Sequence, residues 1–121
     1  MTRLILAVLV IALCKAEPAL AKRAAPKPVA PVAYKGITYT APNQDGTKAY
    51  VVASDSKGKE LLQIKIFDVP IDQRLEEDVQ WVFITDLKPD GDFLLIRDEK
   101  GRCFAIDLST HAVKRKHWCA F

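Results

Sequence analysis

The 121-residue chain is poor in the side chains that carry out chemistry, with three cysteines, two histidines and five glycines. It contains no Ser-His-Asp order, no nucleophile motif and no phosphate-cradling glycine loop. The usual routes to covalent catalysis and nucleotide binding therefore have no support in it. Nor does it hold an apolar run long enough to cross a bilayer: Leu4 to Leu13 is ten residues, about half of what a spanning helix needs. Helical periodicity is scarce too. The one candidate, "IDQRLEED" (71–78), places Ile71 and Leu75 four apart over eight residues, a turn or two at best. No cofactor or metal is expected.

What is present begins with an export leader. A short basic start ("MTR") precedes the apolar run, which has the length of a secretory signal core. Ala19-Leu20-Ala21 is an Ala-x-Ala site with cleavage before Lys22, and Cys14-Lys15-Ala16 is a second site, before Glu17. Cys14 follows the apolar run as a lipoprotein cysteine would, but Leu13 stands where a small residue is required, so lipidation is disfavoured. The expectation is a signal peptide over residues 1–21, a periplasmic or secreted product, and no transmembrane helix after cleavage. Residues 22–35 carry prolines at 26, 28 and 31 among alanine, valine and lysine. That composition favours an extended, solvated tether. One domain is expected over 36–121.

Charge is segregated along the chain. The full sequence is +3, yet Asp45 to Asp107 holds 9 basic and 14 acidic side chains, a net of −5. The body is acidic and both ends are basic, so a polyanion-binding surface over the whole domain, nucleic acid included, is disfavoured. Contact with an anionic surface through the ends is compatible with the pattern.

Turn signals recur in the remainder: "NQDG" (43–46), "SKG" (56–58), "KPDGD" (88–92), "EKG" (99–101) and "STHA" (109–112). Between them lie seven runs rich in Val, Ile, Thr and aromatics: "GITYTA", "AYVVAS", "ELLQIKIFDV", "VQWVFITDL", "DFLLIRD", "CFAIDL" and "VKRKHWC". Spaced about ten residues apart, they predict a small all-β antiparallel meander, as an open barrel, a sandwich or a blade-like sheet. Leu62, Ile64 and Ile66 share one face of their strand, as do Phe104, Ile106 and Leu108. "VQWVFI" is apolar on both faces and reads as a central strand, with Trp81 and Phe83 in the core.

Two stretches, "YVVASDSKGKELL" and "LLIRDEKGRCFAIDLSTHAV", carry an Ala-x-Asp strand end followed by a turn. In this they resemble the blade repeat of quinoprotein-type, tryptophan-docking β-propellers. Ala53-Ser54-Asp55 with Gly58-Lys59 fits one residue short in the turn, and Leu62 falls near the tryptophan position. Ala105-Ile106-Asp107 with Thr110 fits better, but His111 replaces the turn glycine. The resemblance covers about a third of the chain. A propeller needs at least about four blades of four strands, and seven strands make fewer than two. The resemblance therefore implies blade-like hairpins, not a propeller and not a quinone cofactor.

The densest chemistry lies in "CFAIDLSTHAVKRKHWCAF" (103–121), with Cys103, His111, His117 and Cys119. A structural zinc site draws on close ligand pairs, whereas His111 falls in a hairpin turn away from Cys119. A disulfide Cys103–Cys119 is favoured, because the mature chain retains two cysteines in an oxidising compartment. Two registers are open. Pairs summing to 222 set Cys103 opposite Cys119, Asp107 opposite Arg115 and Phe104 opposite Trp118. A three-residue loop Ser109-Thr110-His111, with His111 left-handed, gives 220 and sets Cys103 beside His117.

Three further groups are candidates. The run Glu76-Glu77-Asp78 offers half of a carboxylate pair for acid–base work, against a plain solvated loop. Asp86, Asp90 and Asp92 resemble a calcium loop but lack its twelfth-position glutamate, and a proline-led turn explains them better. Lys114, Arg115, Lys116 and Trp118 form a basic-aromatic interaction surface, or serve to protect an edge strand. The expected function is a non-enzymatic binding or accessory module of a bacterial cell envelope, with a protein or another envelope component as partner. The alternative is a small exported enzyme or enzyme inhibitor acting through the 76–78 loop.

Overall fold

The computed structural model describes residues 23–121. The leader, both cleavage sites and Cys14 lie outside the described residues. The protein is all-β, with eight strands in two antiparallel sheets of four. β1 (Val32–Tyr34), β2 (Ile37–Thr40), β3 (Lys48–Ser54) and β4 (Glu60–Asp68) form the first, in chain order. β5 (Ile84–Asp90), β6 (Phe93–Asp98), β7 (Cys103–Asp107) and β8 (Val113–Lys116) repeat the arrangement in the second. Among the described residues no helix is long and apolar enough to cross a membrane.

Alternation decides which faces meet. Ala49, Val51 and Ala53 of β3 with Ile64 and Ile66 of β4 join Leu94 and Ile96 of β6 and Phe104 and Ile106 of β7 in one buried cluster. Each sheet thus buries one face against the other. β6 and β7 are covered on both sides, and in β6 Leu95 is buried but lies outside that cluster. Its neighbours on the outer face, Cys103 and Ala105 of β7, are buried with it.

The strand count exceeds the expected seven because Val32 is buried and Val32–Tyr34 pairs with Tyr39–Ile37. β1 therefore begins inside the segment whose prolines read as a tether. Upstream of it, Arg23 lies over the Phe83 ring, donates to the Trp81 carbonyl and pairs with Glu99. Eight strands make two four-stranded sheets, not the fewer than two that seven would have formed. The quoted Ala-x-Asp stretches end β3 and β7, so each precedes the third-to-fourth-strand hairpin of its sheet.

Two segments differ from expectation. The predicted central strand "VQWVFI" pairs only from Ile84 onward, opposite Asp98. Trp81 packs on the Cα of Gly46, the Val82 amide donates to the Gly46 carbonyl, and the Phe83 amide donates to the Glu99 carboxylate. These partners satisfy the backbone without a ladder, so burial here does not mean strand. The helical candidate 71–78 is turns followed by a 3-10 turn at Asp78–Gln80. The Gln80 side-chain amide accepts from the Asp72 amide and donates to the Asp72 and Glu76 carbonyls, taking the place of helical bonds. Leu75 stays exposed, so no apolar face exists to stabilise a helix.

Candidate functional site

The hairpin that carries the terminal Cys/His cluster is built by Asp107. Its amide donates to the Ala112 carbonyl, and its carbonyl accepts from His111 at 2.6 Å. Its carboxylate accepts from the Ser109 amide and hydroxyl and from the Thr110 amide. These bonds hold the carboxyl below the usual aspartate range, the Ser109 hydroxyl first among them. His111 is left-handed at φ 65°, as its place in the turn predicts.

The turn is one residue longer than the three-residue loop, because Asp107 captures the loop amides and Leu108 leaves the ladder for the core. Cys103 therefore pairs with Lys116, Phe104 with Arg115 and Ala105 with Lys114. Neither register read from the sequence is correct. An odd shift exchanges the two faces of a strand, so Lys114 and Lys116 face outward with Cys103, while Arg115 turns toward the Phe104 ring at 5.6 Å. Asp107 does not face Arg115, and Phe104 does not face Trp118.

The disulfide Cys103–Cys119 nevertheless forms, across a Cα–Cα distance of 5.9 Å. It is not a rung of the β7–β8 ladder. The chain turns back after Lys116, and the bond fixes its last residues over the outer face of the second sheet. There the Ala120 carbonyl accepts from Lys88, and Phe121 lies beneath Arg97 at 4.6 Å. Leu95, Lys88, Asp90, Lys116, Trp118, Cys119 and Ala120 enclose a shallow cavity of about 230 Å³. Trp118 is 71% exposed, the most open large apolar side chain among the described residues.

The outer face is therefore aromatic and cationic together. Phe93, Trp118 and Phe121 are its exposed rings, with Lys114 over Phe93 at 5.8 Å. Lys88, Arg97, Lys114 and Lys116 are its cations, and Arg97 is engaged by Asp86 at 2.9 Å. Burial pushes the Asp86 carboxyl up, but hydrogen bonds from Thr85 and Arg97 and the guanidinium charge outweigh it and hold the group low. Arg97 is thus committed, whereas Lys88, Lys114 and Lys116 make no ion pair among the described residues.

The other candidates are dispersed. Glu76 and Glu77 are exposed on the loop before the 3-10 turn, and Asp78 is half-buried at the first position of that turn. Glu77 accepts from the Trp81 indole at 3.3 Å. Asp86 and Asp90 stand on the outer face of β5, while Asp92 accepts from the Tyr34 hydroxyl at 2.6 Å, so the three do not converge. Among the described residues no group of three or more His, Cys, Asp or Glu gathers as metal ligands. His117 is exposed, and both sulfurs are consumed in the disulfide.

A second concavity, about 320 Å³, lies on the outer face of the first sheet between Thr40, Tyr50, Val52 and Gln63 and the loop at Pro42–Asp45. Four of its polar side chains are already hydrogen-bonded. Asn43 bonds the Ile84 backbone, Asp45 bonds Thr47, and Gln63 bonds Glu60. Sequence reasoning missed that Lys88, Phe93 and Phe121 share the face of Lys114, Lys116 and Trp118. The available signal was the two-sided apolar run "FLLI", which marks β6 as a covered strand.

Compared with known proteins, the chain matches no family model, no curated protein and no solved structure.

Proposed function

We propose that this protein is an exported, non-enzymatic binding module of a bacterial cell envelope, and that the outer face of the β5–β8 sheet is its binding surface. The observation that carries the reading is Trp118. It stands 71% exposed on a segment that a disulfide holds in place. An unmoored tail would bury such a ring or leave it disordered. A pinned one presents it as a preorganised anchor beside Lys88 and Lys116, and tryptophan is among the residues enriched at interface hot spots.

Export is supported by the leader-like first residues and by a disulfide of the kind that oxidising compartments permit. The matching hairpins at the ends of β3 and β7 support treating the two sheets as blade-like units. The test is photo-cross-linking in the source cells with a photoreactive residue at position 118, and at Lys57 on the far hairpin as control. A discrete adduct from 118 alone is the expected result. Equal or absent adducts at both positions reject the surface.

A further inference from the structure

We infer that the outer face of the second sheet receives the 72–79 loop of a second copy of this chain, head to tail. The inference rests on the binding-surface reading above and names its partner.

The exposed large hydrophobics of the described residues divide into two main groups. Phe93, Trp118 and Phe121 lie on the outer face of the second sheet, and Leu75 and Val79 lie on the loop between β4 and β5, with Leu61 apart on β4. Each group is flanked by unpaired charge mainly of one sign, with Asp90 as the acid among the cations of the outer face. Lys88, Lys114 and Lys116 surround the aromatics, and Glu76, Glu77 and Asp78 lie between the two aliphatics. Among the described residues, none of these six charges makes an ion pair. No hydrogen bond joins the loop to that face.

The two surfaces therefore complement each other in the sign of most of their charge and match in apolar content, and among the described residues these charges make no ion pair. Both are held in shape before contact, the loop by the Gln80 amide and the face by the disulfide. Preorganisation of this kind lowers the entropic cost of association. Because different patches meet, the contact is heterologous, and each pair leaves one patch of each type free for a further copy. An anionic bilayer or a polyanion would answer the cations but would leave the acidic, aliphatic loop without a counterpart. A second copy answers both.

The test is sedimentation velocity on the mature chain over rising concentration, at about 50 mM and about 500 mM salt, since screening shortens with ionic strength. Association at low salt that weakens at least about tenfold at high salt is the expected result. Two variants then reverse one side each: Lys114→Glu with Lys116→Glu, and Glu76→Lys with Glu77→Lys. Each alone is expected to be monomeric, and an equimolar mixture is expected to associate again, because the intact basic face of one meets the intact acidic loop of the other.

A wild-type chain that stays monomeric at low salt overturns the inference. So does a mixture that stays monomeric while both variants retain the wild-type circular dichroism. Should a reversed chain not fold, the neutral pair Lys114→Gln with Lys116→Gln decides, and unchanged association in it counts against the proposal. If position 118 cross-links a different protein while the chain remains monomeric, the binding-surface reading stands and this inference alone falls.

Discussion

Cys103 is bonded to Cys119 across 5.9 Å between Cα atoms, although the sheet pairs it with Lys116. The bond therefore does not staple two neighbouring strands. It ties the segment after β8 back over β7 and closes the cover on Leu95 and Ala105. Its removal affects stability and the shape of one face together. Closing a loop of this sequence separation, 16 residues, is worth about 3 kcal/mol in the chain-entropy description. Cys103→Ser with Cys119→Ser is expected to lower the unfolding free energy by about that amount in a denaturant titration. Native-state amide exchange should localise the loosening to residues 117–121 and to Leu95.

Gly46 is a packing requirement. A Cβ at this position would run into the Trp81 side chain from Cβ to the indole ring, and the Gly46 carbonyl accepts from Val82 at 3.1 Å. Gly46→Ala is expected to cost about 1 to 3 kcal/mol, the range for forcing extra volume into a packed site. Trp81 emission should shift to the red as the ring is displaced. An unchanged midpoint would show that the 81–83 segment yields without loss.

Asp98 is the buried charge of the fold, 2% exposed. Its carboxylate accepts from the Lys100 and Arg102 amides and pairs with the Arg102 guanidinium at 2.6 Å. Arg102 in turn covers the Phe67 and Phe104 rings, which stack with centroids 5.3 Å apart across the two sheets. Asp98→Ala leaves two amides and a guanidinium without their acceptor and is expected to destabilise by about 2 to 4 kcal/mol. Asp55 makes the corresponding turn at the surface, accepting from Lys57 and Lys59. Asp55→Ala is therefore expected to cost less in the same thermal-denaturation comparison.

Acid should unfold the protein gradually. The Asp45, Asp72, Asp86 and Asp107 carboxyls are all held below their ordinary value in the folded chain. A group whose folded value is depressed contributes stability that is complete above its unfolded value and is lost as pH falls toward the folded one. Stability from these groups should thus be flat through neutral pH and decline below about pH 4, the ordinary aspartate range. Asp107→Asn should flatten part of that decline, measured as unfolding midpoint against pH.

The strands were legible where alternation carried them. Leu62, Ile64 and Ile66 fall on one face as read, and Phe104, Ile106 and Leu108 are buried together. The disulfide partners were legible from cysteine count together with the expectation of export. The register was not, because it depends on how many residues the Asp107 carboxylate draws into the turn, a matter of side-chain capture that spacing does not encode. Composition also hid β1, whose burial of Val32 outweighs the extended bias of the prolines before it. "VQWVFI" misled in the opposite direction: Trp81 and Phe83 pack against Gly46 and Arg23, and only Ile84 joins a ladder. For the proposed binding face, Lys114, Lys116 and Trp118 were legible, but Arg115 was grouped with them, which the register turns to the other side.

In the proposed function the disulfide builds the binding surface by holding Trp118 on the segment pinned to the second sheet. The most direct measurement compares the cross-linking yield from a photoreactive residue at position 118 in the oxidised chain and in the Cys103→Ser, Cys119→Ser chain, both verified as folded. The adduct is expected to fall at least about tenfold without the bond, as a preorganised contact becomes a free tail. An equal yield from the two chains would contradict it.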